Sequence, residues 1–187
     1  PMCGSGTFLM EAAMIALNKA PGLNRSFGFE LWKGFNLILF EKIKSEYQAQ
    51  IKPLNFLFIY GSDKDLRAIR VAKKNLQEAG LSNVVELSCR TFDDISPSSK
   101  EGILIANPPY GIRIGEDENL AQEYPLWAST MKRKLSGWRT YFLTSDLRMP
   151  KLMRLLPTKK TPLYNGALDC RLFEIKIVKG SNRIKSP

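Results

Sequence analysis

The hydrophobic and polar positions of the chain predict strands that alternate with helices. Four apolar runs bounded by turn residues are typical of strands: 55–61, 84–89, 102–106 and 140–144. Four stretches have the apolar spacing or the composition of helices: 8–17, 37–51, 66–79 and 120–135. The first of these helices is expected to be buried, because it is almost entirely apolar. This alternation predicts an α/β fold with a mostly parallel sheet.

The tail of the chain predicts a different strand arrangement. Asn165-Gly166 lies between two extended runs over 163–178, and this dipeptide is favoured in tight hairpin turns. We therefore expect an antiparallel C-terminal hairpin beside the parallel strands. No repeat, low-complexity tract or linker interrupts the sequence, which predicts one domain over 1–187.

Charge changes the picture, because 28 Lys+Arg against 18 Asp+Glu give a net charge of +10. This excess favours an anionic partner, most simply nucleic acid. For any single basic residue, the alternative is that it only forms part of a solvated positive surface. The basic residues that could lie along an RNA backbone cluster late in the chain: Lys132-Arg133-Lys134, Lys151, Arg154, Lys159-Lys160, Arg183 and Lys185.

Composition also excludes several kinds of chemistry. The chain has no histidine, which rules out imidazole bases and His-liganded zinc. Cys3, Cys89 and Cys170 are far apart in sequence and predict reduced thiols rather than a metal site or disulfides. The lack of histidine and of closely spaced cysteines predicts no metal. No apolar run reaches 18 residues, so we expect no membrane insertion and a cytoplasmic location.

The first candidate site is the loop Gly4-Ser5-Gly6-Thr7, which runs into the first predicted helix. Backbone N–H groups at a helix N-terminus attract anionic or polar ligands, and glycines allow close approach. The alternative is a tight turn that packs the helix on the sheet.

Acidic residues follow the next two predicted strands. Asp63 could accept hydrogen bonds from both ribose hydroxyls of an adenosine-type cofactor, or it could cap a helix. Phe92, Asp93 and Asp94 could contact an adenine, or they could form a solvated acidic turn.

Asn107-Pro108-Pro109-Tyr110 directly follows a predicted strand. Two prolines end the strand and fix the backbone, so the Asn107 side chain and the Pro108 carbonyl can accept hydrogen bonds from a planar amino group. Such an amine is a poor nucleophile, and acceptors placed for its developing tetrahedral nitrogen favour the attacking state without a strong base. Tyr110 can stack on the substrate ring. The alternative is a strand-ending turn with a packed tyrosine.

Together these motifs resemble the class I, S-adenosylmethionine-dependent RNA guanine-N2 methyltransferases, most closely the bacterial large-subunit ribosomal RNA enzymes whose catalytic domain follows a THUMP domain. The resemblance is carried by the following segments: Pro1-Met2-Cys3-Gly4-Ser5-Gly6-Thr7, Ala20-Pro21-Gly22-Leu23, Phe27-Gly28-Phe29-Glu30, Trp32, Gly61-Ser62-Asp63, Asn107-Pro108-Pro109-Tyr110-Gly111 and Leu163-Tyr164-Asn165-Gly166. It implies a Rossmann-like fold and methylation of guanine N2 in large-subunit ribosomal RNA.

The resemblance also implies a role for each site residue. Asn107, Pro108 and Tyr110 would be catalytic. The residues expected to bind S-adenosylmethionine are Cys3, Gly4, Ser5, Gly6, Thr7, Asp63, Phe92 and Asp93. The residues expected to bind substrate are Pro109, Gly111, Arg113 and Trp32, with Phe29 as a second candidate for a substrate lip. Trp127 and Met131 fit helical spacing and are expected in the core.

The chain departs from the family pattern at two points. Relatives carry an Asp just before the position of Pro1, preceded by a first strand, so we expect a catalytic domain that lacks this strand and the THUMP domain. Relatives also often have an Asp near the position of Thr91, which leaves the adenine contact open between Asp93 and Asp94. The alternative functions are adenine-N6 methylation of DNA, glutamine methylation of a protein, and non-catalytic RNA binding.

Overall fold

The structure is a computed structural model that describes residues 1–53, 59–109 and 116–179 of the chain. Its helices are α1 (Thr7–Ala16), α2 (Leu37–Ala49), α3 (Leu66–Glu78), α4 (Glu116–Lys134) and α5 (Met149–Met153). Its strands are β1 (Ile59–Asp63), β2 (Val85–Cys89), β3 (Ile103–Ala106), β4 (Arg139–Thr144), β5 (Lys159–Asn165) and β6 (Leu168–Lys176). The predicted α/β class is confirmed.

The strands of the described residues form two sheets. One pairs β1 with β2, and the other has the order β3-β4-β6-β5. β3 and β4 are parallel, whereas β6 is antiparallel to both β4 and β5. The predicted hairpin is confirmed, with Gly166 and Ala167 in its turn between Asn165 and Leu168, and β5 forms an outer edge.

The chain divides into two compact units. The first comprises Pro1–Met2, Ser62–Asp65 and Cys89–Pro187, and the second comprises Cys3–Gly61 and Leu66–Ser88. Within the part of the chain that is described, no helix has both the length and the apolar character needed to span a bilayer.

The first unit has its core between α4 and one face of the four-stranded sheet. Trp127 and Met131 of α4 are buried there, as predicted from their spacing. The ring of Trp127 stacks on Phe92 and lies parallel to Phe142 of β4, with centroid distances of 5.4 and 6.4 Å. Burial of these aromatic rings holds the loop after β2 and the strand β4 against the same helix.

The second unit has a smaller aliphatic core, to which α1 and α3 contribute: Leu9, Ala13, Leu17, Leu76, Leu81, Val84 and Val85. The expectation of a buried first helix is wrong in one respect. Only one face of α1 is buried, and Ile15 is 78% exposed. The predicted strand at 55–61 begins in residues outside the described ranges, and its described part continues to Asp63.

Candidate functional site

The loop 3–7 contains two glycines in the left-handed region, with φ of +53° at Gly4 and +85° at Gly6. Gly6 is the N-cap of α1, and its N–H donates to the Cys3 carbonyl at 2.8 Å. A Cβ at Gly6 would lie 3.2 Å from the Cβ of Ala72 in α3, whereas a Cβ at Gly4 would meet nothing within 4 Å. Packing therefore explains Gly6, and Gly4 is the position that suits a ligand close to the backbone.

Polar side chains fix this loop within the second unit. The Nδ2 of Asn75 in α3 donates to the Ser5 carbonyl at 2.9 Å, and the hydroxyls of Ser5 and Thr7 are 3.3 Å apart. Cys3 is half-buried, and Cys3, Cys89 and Cys170 are not in disulfide bonds. The Asn75 hydrogen bond thus ties the loop to α3.

Asp63 ends β1 in the first unit. Its Oδ1 accepts the N–H of Asp65 at 2.9 Å, which closes the turn leading into α3. Its backbone carbonyl accepts the N–H of Arg90 at 3.0 Å, so the end of β1 is tied to the residue after β2. A carboxylate has about four acceptor positions, and this turn uses one of them.

The loop after β2 separates its two acidic side chains. Asp93 is half-buried, and its Oδ1 accepts a hydrogen bond from the buried Thr130 hydroxyl of α4. Lys134 adds a clamp, because its Nζ donates to the carbonyls of Asp93 and Ile95 at 2.6 and 3.0 Å. Asp94 is exposed and accepts the hydroxyl of Thr91 at 2.8 Å. Asp93 is thus bonded to α4, whereas Asp94 faces solvent.

Phe92, also predicted to contact cofactor, is buried in the aromatic core described above and is only 6% exposed. The structure gives its ring a packing role, and the contact with adenine stays a prediction. The sequence pattern of hydrophobic residues could not have revealed this packing, because the rings that contact Phe92 belong to α4 and β4.

Asn107 and Pro108 follow β3, as expected. Asn107 is half-buried, Pro108 is buried and Pro109 is exposed. Ala106, the last residue of β3, pairs with Phe142 of the parallel strand β4. The turn therefore leaves the sheet at the carboxyl edge of β3 and β4, the usual position of ligand sites in α/β sheets. Tyr110, Gly111 and Arg113 lie outside the described residues.

The two candidates for a substrate lip differ in their surroundings. Trp32 is 74% exposed in the second unit. Phe29 stacks on Phe27 at 5.1 Å and contacts Phe35 and Phe40 at 5.8 and 5.4 Å, within an aromatic cluster. Trp32 is therefore free to present its ring outward, whereas Phe29 has a structural role.

A polar cluster that the sequence analysis did not identify lies beyond the carboxyl end of β4. The hydroxyl of fully buried Tyr124 donates to Asp146 at 3.3 Å, and Arg148 makes two side-chain hydrogen bonds to the same carboxylate at 2.9 and 3.0 Å. The Asp146 N–H donates to the buried Thr144 hydroxyl at 3.0 Å. The signal was present as Asp146-x-Arg148 just after a predicted strand.

This cluster shifts the ionisation of both acids. Burial raises the pKa of the Tyr124 hydroxyl well above its ordinary value, and the negative charge of Asp146 adds to the effect. Burial also raises the pKa of Asp146, but the hydrogen bonds and charge of Arg148 outweigh it, so the net pKa lies below its usual value. The carboxylate therefore remains ionised at neutral pH.

Half of the described site residues lie in the first unit: Asp63, Phe92, Asp93, Asn107, Pro108 and Pro109. The loop 3–7 and Trp32 belong to the second unit. Among the described residues, no group of three or more His, Cys, Asp or Glu side chains is arranged to hold a metal ion.

Comparisons with known proteins agree with the fold. The model of the UPF0020 family, described as an RMKL-like methyltransferase domain, matches residues 1–174. The chain is 40% identical over 174 residues to the Ribosomal RNA large subunit methyltransferase K/L of Shewanella frigidimarina, covering 91% of this chain and 24% of the relative. The chain thus spans about a quarter of the length of that curated relative.

Solved structures show the same architecture. The crystal structure of SMU.472 in complex with SAH is 36% identical, with a TM-score of 0.89 over 97% of this chain and 48% of the other. A "predicted N6-adenine-specific DNA methylase" from Listeria monocytogenes is 34% identical, with a TM-score of 0.83 over 95% of this chain and 45% of the other. The Rossmann-like class I methyltransferase fold is confirmed.

Proposed function

Because the chain belongs to the UPF0020 family of RMKL-like methyltransferase domains, we propose that it methylates the exocyclic N2 amine of a guanine in large-subunit ribosomal RNA, using S-adenosylmethionine. The observation that carries the proposal is the identity of 40% to an enzyme named as a ribosomal RNA large subunit methyltransferase. The positive net charge supports an RNA substrate.

The loop 3–7 fits a cofactor. Gly4 has a positive φ and open space where a Cβ would project, so a ligand can approach its backbone closely. Cys3, Gly4, Ser5, Gly6 and Thr7 would hold the methionine part of S-adenosylmethionine. When bound, this cofactor supplies an electrophilic methyl group on a sulfonium.

In the first unit, the Asp63 carboxylate would hold the ribose hydroxyls and the loop after β2 would meet the adenine. We propose Phe92 and Asp93 for the adenine contact as the family resemblance implies. The backbone of this loop is held by Lys134, so its N–H and carbonyl groups are in fixed positions. Fixed dipoles bind a ligand without the cost of ordering a flexible loop.

The amine would be held at the end of β3. The side-chain oxygen of Asn107 and the carbonyl of Pro108 would accept hydrogen bonds from its two N–H groups, which localises the nitrogen lone pair and aims it at the methyl group. Tyr110 would stack on the base, while Pro109, Gly111, Arg113 and Trp32 would surround the substrate. The chain's own contribution is orientation and hydrogen-bond acceptance, and neither requires histidine.

The function is tested by identifying the methylated product. The chain is incubated with labelled S-adenosylmethionine and either unmodified large-subunit RNA or duplex DNA, and nucleosides are separated by mass spectrometry. We expect N2-methylguanosine from RNA. N6-methyladenine from DNA would instead support the second candidate, which is favoured by the name of the Listeria protein. RNA binding without cofactor binding or methylated product would indicate a non-catalytic module.

The role of Asn107 is tested by Asn107→Ala. We expect kcat to fall by about 100-fold or more, as for loss of an aligned transition-state hydrogen bond. The cofactor Kd should stay within about twofold, because no cofactor contact is assigned to this side chain. Asn83→Ala, in an exposed turn, is the matched control. Equal loss of activity and cofactor affinity in Asn107→Ala would show that Asn107 is structural.

A further inference from the structure

The segment between the carboxyl end of β4 and the hairpin turn is strongly basic. From 147 to 168 the chain has five basic residues and no acidic residue. The basic residues are Arg148, Lys151, Arg154, Lys159 and Lys160. This segment includes α5 and β5, the outer strand of the four-stranded sheet. The positive charge is therefore concentrated in one segment of the first unit.

α5 sorts its residues into a buried face and a basic face. Met149, Pro150 and Met153 are buried in or against the core of the unit. Lys151 and Arg154 are exposed. The apolar face fixes the helix, so the two cations are carried on a well-packed element rather than on a loose loop.

β5 places a third cation on the same side of the sheet. Lys160 pairs in register with Phe173, and its Nζ lies 5.7 Å from the centroid of that ring. Phe173 belongs to the same buried cluster as Met149 and Met153 of α5. Strand alternation puts Tyr164 on the face of Lys160, and Tyr164 is 76% exposed.

The acids that border this segment already have basic or hydroxyl partners. Asp146 is ion-paired with Arg148, and Asp169 with Arg171. Glu174, which is in register with Lys159, accepts the hydroxyl of Thr158 at 3.2 Å. Within the described ranges, no acid forms an ion pair with the exposed cations of α5 or with Lys160. Their charge is thus not neutralised by an ion pair with a described acid.

We propose that Lys151, Arg154, Lys160 and Tyr164, here called the α5–β5 surface, bind the backbone of the substrate RNA next to the target nucleotide. This inference rests on the proposed function. α5 follows the carboxyl end of β4, which lies beside the end of β3 and the Asn107 turn. The three cations contact phosphates, and Tyr164 stacks on an unpaired base, the combination used for single-stranded nucleic acid.

The charge part is tested with two triple variants that each lower the net charge by three. The first is Lys151→Gln, Arg154→Gln and Lys160→Gln. The matched control is Lys42→Gln, Lys44→Gln and Lys74→Gln, whose ammonium groups lie 4.0, 3.4 and 3.8 Å from glutamates on their own helices. The Kd for a fluorescent single-stranded RNA of about 20 nucleotides is measured by anisotropy between 50 and 200 mM NaCl.

We expect the α5–β5 variant to bind about 10- to 100-fold more weakly at 150 mM NaCl, and the slope of log K against log salt to fall by about two. The control should change the Kd less than about threefold. Equal losses in both variants, or no binding by the unmodified chain, would overturn the proposal. Displacement of the RNA by polyglutamate at equal charge concentration would show a general polyanion surface and would also overturn it.

Tyr164→Ala and Tyr164→Phe test the stacking part. We expect at least fivefold weaker RNA binding for the alanine variant and little change for phenylalanine, which keeps the ring. Thermal unfolding by circular dichroism verifies that every variant folds, and charge-retaining Lys→Arg changes should restore binding. Unchanged binding by Tyr164→Ala would remove the stacking role.

Methylation is measured in parallel, so that failures of the two proposals are distinguishable. If the unmodified chain produces N2-methylguanosine and the α5–β5 variant binds RNA equally well, the surface is wrong and the function stands. If the α5–β5 variant loses RNA binding but the unmodified chain produces no methylated nucleoside, the surface stands and the function is wrong.

Discussion

Gly4 and Gly6 lie in one loop and both have a positive φ, but their surroundings differ. The left-handed conformation accounts for a glycine at either position. Only Gly6 is also required by packing, since an added Cβ would be 3.2 Å from that of Ala72. The sequence motif identifies the loop, whereas the difference between its glycines depends on α3, about 70 residues later.

This difference predicts separate effects of two alanine substitutions. Gly6→Ala should lower the free energy of unfolding by about 1–2 kcal/mol from backbone strain, and more if Ala72 cannot move. Gly4→Ala should carry only the strain and should weaken cofactor binding, because its Cβ projects into the space beside the loop. Urea denaturation and calorimetric titration with S-adenosylmethionine measure the two quantities. Equal stability losses and equal affinities would contradict this assignment.

The different surroundings of the Asp93 and Asp94 carboxylates could not be predicted from the sequence. Adjacent in sequence and alike in charge, they could not be separated by the motif alone. The hydroxyl of Thr130, 37 residues away, donates a hydrogen bond to Asp93, and the hydroxyl of Thr91 donates one to Asp94. Only the tertiary packing of α4 decides which of the two faces solvent.

Among the elements, those with a long periodic or apolar pattern were predictable. The helix expected at 66–79 is observed as Leu66–Glu78, and the strand expected at 140–144 as Arg139–Thr144. α5 was missed, because five residues with an internal proline are too short to show a period. Its cap is the left-handed Arg154, and its burial comes from contacts with α4 and the sheet rather than from local propensity.

Phe92 supplies the aromatic part of the contact between α4 and the loop after β2, beside the hydrogen bonds of Thr130 and Lys134. We expect Phe92→Ala to lower the free energy of unfolding by about 3–5 kcal/mol, because it leaves a cavity between Trp127 and Phe142. Phe29→Ala removes an aromatic ring of equal size from a site that is 36% exposed, and it should cost less. Chemical denaturation followed by Trp fluorescence compares them. Similar losses would show that Phe92 is not a core residue.

The turn between β4 and α5 should make stability depend on pH. The folded pKa of Asp146 is below its ordinary value, so its ion pair contributes fully above the unfolded pKa of about 3.9. This contribution is lost as the pH falls from there through the folded pKa. The unfolding free energy of Asp146→Asn should therefore lose less between pH 6 and 3 than that of the unmodified chain. Parallel pH profiles would contradict a role for this carboxylate.

For the whole molecule, fold class and function class were accessible because they depend on several separated motifs at once. The Gly loop, Asp63 and the Asn107 turn each follow or precede a predicted element in the order that the α/β fold requires. Net charge indicated the class of partner but not its location. Its proposed location on α5 and β5 depends on strand pairing, which puts Lys160 on the face of Phe173.

Binding of S-adenosylmethionine should raise the thermal stability of the folded chain. A ligand that binds only the folded state at 100 times its Kd stabilises that state by about 2.7 kcal/mol. For a protein of this size, such stabilisation raises the Tm by about 5–10 °C. We expect this shift with S-adenosylmethionine in differential scanning calorimetry, and its loss in Asp63→Ala.

Asp63→Asn keeps an oxygen for the Asp65 N–H, so the turn into α3 remains while one ribose acceptor is removed. Asp63→Asn should therefore keep the Tm of the unliganded chain but lose most of the rise in Tm caused by S-adenosylmethionine. This result is expected if the second carboxylate oxygen binds the ligand and is not needed for the fold. A full shift in Asp63→Ala would exclude Asp63 from the cofactor site.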